Sequence, residues 1–140
     1  MAQYIDTRDL IETRDELKQE ILDSFLEDFP HYEEMTESFE DIRFEEEEVQ
    51  GWRDVWQEEI DQISRIGEIE DEIGSEFDFG VTLIPEDDFT NYIEDFLEDI
   101  GYIPKDFPSW IEIDWEATAE NVKQDYSELE YEGKYYLYRA

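Results

Sequence analysis

The sequence has no cysteine, only one histidine and only 10 basic residues among its 140. Without cysteine the chain has neither disulfides nor thiolate chemistry, which fits a reducing compartment. Acidic residues number 44, so the formal net charge is −34. Because a surface of this charge repels polyphosphate and anionic lipid, we expect no nucleic acid and no membrane as direct partners, and a basic protein surface instead.

Long apolar runs are missing as well. No stretch approaches the eighteen or so apolar residues of a membrane helix, and the first residues, MAQYIDTRDL, do not resemble a signal peptide, so we expect a soluble, unprocessed protein. High charge with low hydropathy is typical of disordered chains. However, the chain has 22 aromatic residues, and Leu, Ile, Val and Phe make up about a quarter of it, which predicts a folded core.

Residues 1–74 are predicted to form an acidic helical arm. Thr13 and Glu16 have the spacing of a capping box, and apolar residues then recur every fourth position until Pro30. This pattern predicts a helix that begins at Thr13, with a separate helical turn over residues 6–11. Residues 31–44 fit either helix or loop.

Residues 45–73 contain the strongest periodicity in the chain. Seven apolar residues are spaced three or four apart with a mean period of 3.5: Trp52, Trp56, Ile60, Ile63, Ile66, Ile69 and Ile73. This spacing predicts one long helix with a single apolar seam, packed either on another helix of the same chain or on a second copy in a homodimer.

Residues 75–140 are predicted to form a second module. The apolar run at residues 81–84 predicts a strand, and the chain end predicts a hairpin around Glu132 and Gly133. Between them, a helix opens at Asp87 or Asp88 and ends at Gly101, with one apolar face: Phe89, Ile93, Phe96, Leu97 and Ile100. A further helix over residues 115–125 is capped by Asp114. The fold class is therefore α+β and helix-rich, with long acidic helices packed on a small antiparallel sheet.

Catalytic chemistry has few candidates in this sequence. His31 is the only histidine, and the motifs of nucleotide-binding, hydrolase and zinc-protease sites are absent. The scattered acids do not form the loop pattern of a calcium site. We therefore expect no enzyme activity, no catalytic residues, no metal and no cofactor.

The acids on the predicted helices are arranged in rows. On the long helix, Asp54, Glu58, Asp61, Glu68 and Glu72 lie opposite the apolar seam, interrupted only by Arg65. Helical steps of three and four separate side chains by about 5 to 6 Å, close to the spacing of successive phosphates in a nucleic-acid strand. With the acids that flank the apolar face of the next helix, the candidate partner-binding carboxylates are Glu47, Asp54, Glu58, Asp61, Glu68, Glu72, Asp87, Asp88, Glu94, Asp95, Glu98 and Asp99.

Residues 80–139, about 60 of the 140, resemble the C-terminal part of the ArdA-type antirestriction proteins and related small acidic phage proteins. The matching elements are Phe89 and Tyr92 before Glu94-Asp95, the Asp99-Ile100-Gly101 turn, Asp114-Trp115, Asp125-Tyr126, and Gly133 in the final hairpin. The first 75 residues depart from the family. The resemblance implies a DNA mimic from a phage or mobile element that occupies the DNA-binding groove of a restriction-modification enzyme, commonly as a dimer.

Together these features predict a DNA-mimic inhibitor that acts in the host cytoplasm and competes for the basic DNA-binding groove of a defence enzyme. The alternative function is an interaction protein that binds a host factor, such as RNA polymerase, a nucleoid protein or a CRISPR effector, through the aromatic seam. Trp52 and Trp56 would then be the binding hot spots. A plain solvated helix face, halophilic adaptation and an acidic histone-type chaperone are further explanations of the charge.

Overall fold

A computed structural model describes residues 4–103 and 106–140 of the chain. The chain divides into two compact units, one comprising Arg8–Asp78 and the other comprising the chain up to Thr7 together with Phe79–Ala140. The sequence predicts the boundary after residue 74 and assigns the N-terminal residues to the helical arm. The N-terminal residues belong instead to the second unit because strand β1 (Ile5–Asp6) pairs with strand β2 (Thr82–Pro85).

The first unit is helical, as predicted. Its helices are α1 (Thr7–Asp28), α2 (Gln50–Val55) and α3 (Gln57–Ile73). Helix α1 begins at Thr7, so the predicted start at Thr13 and the separate turn before it were wrong. The helix extends further because Leu10, which is buried, continues the apolar face by two turns before Leu17.

The long helix predicted over residues 45–73 is not continuous. Its first residues form a 3₁₀ turn (Glu47–Val49), and the helix is interrupted at Trp56, whose backbone ψ of 10° ends α2. The Trp56 N–H donates to the carbonyl of Arg53 at 3.0 Å, and the next helix starts at once. The apolar spacing of three to four residues continues across this break, which is why periodicity did not reveal it.

An aromatic cluster forms the core of the helical unit. Phe25 is fully buried, and its ring centroid lies 5.3 Å from those of Phe29 and Trp52 and 5.5 Å from that of Tyr32. The Trp52 indole N–H donates to the Ser24 hydroxyl at 2.9 Å. The segment over residues 31–44 is mostly 3₁₀ turns and irregular chain rather than a helix, with turns at Pro30–Met35 and Phe39–Asp41.

The second unit contains a four-stranded antiparallel sheet in the order β1-β2-β4-β3, where β3 is Ser127–Tyr131 and β4 is Lys134–Tyr138. The predicted strand and the predicted hairpin are confirmed. Glu132 and Gly133 have φ values of 53° and 77°, as a tight hairpin turn requires. The two-residue strand β1 was not predicted.

Two helices, α4 (Phe89–Asp99) and α5 (Trp115–Lys123), complete this unit. Phe89, Ile93 and Ala119 pack with Ile84 and Leu137 of the sheet. The predicted face of α4 is only partly buried, since Phe96 and Ile100 are exposed. The predicted caps lie where the sequence placed them, and α5 ends two residues earlier than expected.

Both caps make the backbone contacts that such residues usually make. Gly101 has a φ of 82°, its N–H donates to the Glu98 carbonyl, and the Tyr102 N–H donates to the Leu97 carbonyl. This pair of bonds is the Schellman arrangement that ends many helices. At the start of α5, the Asp114 carboxylate accepts from the Ala117 N–H at 3.0 Å.

Candidate partner-binding surface

Helix α3 presents a row of carboxylates on its exposed side. Glu58, Asp61, Glu68 and Glu72 are all exposed, while the opposite face contributes the buried residues Ile63, Ile66 and Ile69 to the core. The steps from Glu58 to Glu72 cover about 21 Å at 1.5 Å per residue. Since the apolar face is fixed in the core, these carboxylates are held on a rigid element.

The line charge of α3 is close to that of a single nucleic-acid strand. The helix carries seven acidic residues and one basic residue within its 17 positions. This is one net charge per about 4 Å of helix, compared with about 3.4 Å for one strand of duplex DNA. Glu70 is already paired with Arg14, so α3 offers an external partner about one net charge per 5 Å of helix, somewhat below the charge density of one DNA backbone.

Glu47 and Asp54 are also exposed, but they do not share the α3 helix. Glu47 lies in a 3₁₀ turn and Asp54 in α2, so the break at Trp56 separates them from the α3 row. The single row predicted for a continuous helix is wrong in this respect. The row on a single helix extends from Glu58 to Glu72, with Arg65 in the seven-residue interval between Asp61 and Glu68.

The other six candidates lie in the α+β unit, around the start and along the surface of α4. Asp87, Asp95, Glu98 and Asp99 are exposed, whereas Asp88 and Glu94 are half-buried. The Tyr4 hydroxyl donates to Asp88 at 2.8 Å, and Asn91 also donates to that carboxylate at 3.3 Å. The two predicted rows thus belong one to each unit.

Most ion pairs within residues 4–103 and 106–140 use acids outside the candidate set. Arg14 pairs with Glu70 at 2.7 Å, Lys18 with Glu40 at 2.7 Å, and Lys123 with Glu86 at 3.7 Å. Of the twelve candidates, only Glu68 has an ion-pair partner within the described ranges, and that partner is Arg65 at 3.0 Å. The candidate carboxylates are thus largely available to an external cation.

Acidic residues also occupy helix ends where they are unfavourable. The last turns of α1, α3 and α4 contain acids and no basic residue. A carboxylate in the last turn is destabilised by the helix dipole, by about 0.3 to 1 kcal/mol each when exposed. Selection for stability alone would not favour these placements, so they support a role for the charge itself.

Hydrogen bonds donated by tyrosine hydroxyls hold two carboxylates, one in each unit. Burial, followed by the hydrogen bond to Asp88, raises the pKa of Tyr4 to about 12. The hydrogen bond to Glu48, at 2.6 Å, raises the pKa of Tyr32 to about 12. The same bond and that from His31 lower the pKa of Glu48.

These tyrosines predict a loss of stability in alkali. Between pH 10 and about 12 the phenols ionise in the unfolded chain but stay protonated in the folded one. A raised folded pKa means that stability is complete below pH 10 and falls as the pH rises through this window. Denaturant titrations across the window should show this loss, and Tyr4→Phe with Tyr32→Phe should reduce it. An unchanged pH profile in the double variant would contradict the assignment.

The apolar seam is occupied by the chain itself. Trp52 and Ile63 lie in the core cluster of the helical unit, and Trp56 and Ile60 pack against that cluster. The seam therefore closes within one chain. A homodimer, or the host-factor binding considered as the alternative function, would have to use another surface.

Across residues 4–103 and 106–140, no group of three or more His, Asp or Glu residues is placed to hold a metal ion. Within the same ranges, no helix has both the length and the apolarity of a membrane span. Sequence reasoning missed a cavity lined by five apolar and two acidic residues at the end of α4 and in the loop before α5, although the alternation of Ile111, Ile113 and Trp115 is a signal that could have indicated its apolar part.

Comparisons of the chain with protein-family models, curated proteins and solved structures find no match.

Proposed function

We propose that this protein is a non-enzymatic DNA mimic that inhibits a DNA-binding defence enzyme of a bacterial host, a restriction-modification enzyme. It would originate from a phage or mobile element and act in the host cytoplasm. Inhibition is competitive, because the carboxylates occupy the basic groove that otherwise holds DNA.

The observation that carries the proposal is the exposed carboxylate row of α3. Its negative charge density is lower than that of one DNA strand but of the same order, and the buried isoleucine face holds the row in place. A rigid row loses little conformational entropy on binding, which favours affinity. The carboxylates on α4 supply a second acidic surface on the other unit.

The mechanism follows from the electrostatics of such a groove. A DNA-binding groove presents Lys and Arg side chains that normally contact phosphates. Carboxylates at similar spacing make the same charge-assisted contacts without presenting bases or a scissile bond. The mutual repulsion of these carboxylates in the free protein is relieved when the partner's cations approach. Binding therefore gains both from this relief and from the attraction between carboxylates and cations.

The proposal is tested by affinity capture from a bacterial lysate with the full chain as bait, with and without excess duplex DNA. A DNA-processing enzyme should be retained without DNA and released by it, because mimic and duplex compete for one groove. The captured enzyme, once purified, should then bind less duplex DNA as increasing amounts of the chain are added. If excess duplex DNA does not release the captured protein, competitive mimicry is refuted.

A further inference from the structure

We infer that a cavity after the C-terminal end of α4 binds a protein segment in which an apolar side chain adjoins an arginine or lysine. The cavity has a volume of about 530 Å³ and lies within the α+β unit. Its apolar lining comes from the loop between α4 and α5 and the start of α5: Ile103, Phe107, Ile111, Ile113 and Trp115. Glu98 and Asp99, from the last turn of α4, complete the lining.

Exposed apolar side chains are concentrated beside this cavity in the sequence. Five of the ten large apolar side chains that are exposed in the described ranges fall between residues 96 and 111: Phe96, Ile100, Tyr102, Trp110 and Ile111. Trp110 is 81% exposed and Ile111, which lines the cavity, is 41% exposed. The other four lie within two residues of a lining residue in the sequence. Isolated exposed apolar residues are common, but several in one short segment are typical of an interaction site.

The two carboxylates determine which partner fits. Glu98 and Asp99 lie where the helix dipole disfavours negative charge, and no basic residue occupies that turn. A neutral ligand would desolvate them without a compensating charge, and an acidic ligand would be repelled. Arginine and lysine combine an apolar stem with a cationic head, so they can cover the apolar wall while the head pairs with the carboxylates.

This inference goes beyond DNA mimicry. A carboxylate row imitates what DNA presents, whereas duplex DNA offers no apolar cavity to its binding proteins. The cavity would therefore recognise a feature of a protein surface that DNA does not use. Direct binding of a defined peptide tests it without any target enzyme.

The experiment titrates the full chain with three N-acetylated, C-amidated peptides: Arg-Leu-Arg-Leu-Arg, Arg-Ser-Arg-Ser-Arg and Ser-Leu-Ser-Leu-Ser. Binding is followed by NMR through the four indole N–H resonances, at a salt concentration of about 0.15 M that screens bulk attraction. The Arg-Leu peptide should bind at least about tenfold more tightly than either of the others, since it alone combines apolar burial with charge pairing. The shifts should be confined to Trp110 and Trp115, away from Trp52 and Trp56 in the helical core.

Two variants with a matched control locate the site. Ile111→Ser removes an apolar wall residue, and Glu98→Gln with Asp99→Asn neutralises the rim. The control is Glu94→Gln with Asp95→Asn, the same pair of residue types one turn earlier on α4 and outside the cavity. Each cavity variant should weaken binding of the Arg-Leu peptide by about fivefold or more, and the control by less than about twofold. The charge-neutralised variants lower the net repulsion, so their folding is not at risk.

Several results would overturn the inference. Equal affinity for the Arg-Leu and Arg-Ser peptides would mean that bulk charge alone binds them. The same conclusion would follow if the control variant lost as much affinity for the Arg-Leu peptide as the cavity variants. Equal binding of the Ser-Leu peptide would assign the cavity to neutral apolar ligands. If the Trp115 resonance does not shift, the peptide does not bind in the cavity. None of these results bears on competition with DNA, so the proposed function stands or falls separately.

Discussion

Reversing four carboxylates on the exposed side of α2 and α3 should lower affinity for the captured target at least about 100-fold while the fold is retained. The variant is Asp54→Lys, Glu58→Lys, Asp61→Lys and Glu68→Lys. All four residues are exposed. Each reversal replaces an attraction to a basic groove with a repulsion, and four contacts at about 1 kcal/mol each give a loss of this order or more. Surface plasmon resonance against the captured enzyme measures the affinity, and circular dichroism checks the fold.

Helix α1 offers a closely matched control for this variant. Asp9, Glu12, Glu16 and Asp23 are exposed, include two Asp and two Glu, and follow one another along a helix face at similar spacing. Even the local bonds correspond, because Gln57 donates to Asp61 as Gln19 donates to Asp23. Reversing either set changes the formal net charge from −34 to −26, since each of four reversals adds two.

The matched pair separates local contacts from long-range attraction. Both variants should associate more slowly, because steering depends on the overall charge. Only the α2/α3 variant should also dissociate faster, because only it loses the contacts within the groove. If both variants lose affinity equally, the acidic surface acts through bulk charge and the α3 row is not the site.

Local sequence signals predicted the parts of the fold that local contacts determine. The Asp114 cap, the glycine at the end of α4 and the hairpin turn at Glu132 and Gly133 each depend on backbone geometry within a few residues. Strand β1 has only two residues and forms because it pairs with the distant strand β2: Ile5 pairs with Leu83, 78 positions away, and Asp6 pairs with Thr82, 76 positions away. No local pattern indicates such a strand.

The start of α1 and the break at Trp56 show where periodicity is insufficient. The capping-box spacing at Thr13 and Glu16 occurs inside a helix whose first residue is Thr7. Thr7 is held by a non-local contact, because its hydroxyl accepts from the Val81 N–H at 2.8 Å. A one-residue turn at Trp56 changes the helix without changing the apolar spacing. Both the start of α1 and the break at Trp56 depend on tertiary packing, which the spacing of apolar residues in the sequence does not reveal.

The exposure of the candidate carboxylates was more predictable than their arrangement. Once the isoleucines of α3 are assigned to the core, helix phase places Glu58, Asp61 and Glu72 on the opposite side. Whether the seam closes within one chain depended on the residues that cover it. Those residues come from α1 and from the 3₁₀ segments before α2, whose packing had no readable pattern.

Salt should act in opposite directions on the fold and on the complex. Raising the ionic strength from about 0.01 to about 0.1 M shortens the Debye length from about 30 to about 10 Å. This screens the repulsion among the charges that make up the net −34, so the melting temperature should rise by several degrees. Affinity for the target should fall about 100-fold or more between about 0.05 and 0.2 M, because a groove that releases DNA in salt also releases a carboxylate row.

The opposite signs make this a strict test of mimicry, since a more stable binder would ordinarily bind at least as well. Calorimetric melting and binding titrations on the same samples measure both quantities. The α2/α3 reversal variant should show a weaker rise in melting temperature, because repulsion grows roughly with the square of net charge. Affinity that stays constant while the melting temperature rises would show that the carboxylates contribute to the charge of the protein but not to its binding.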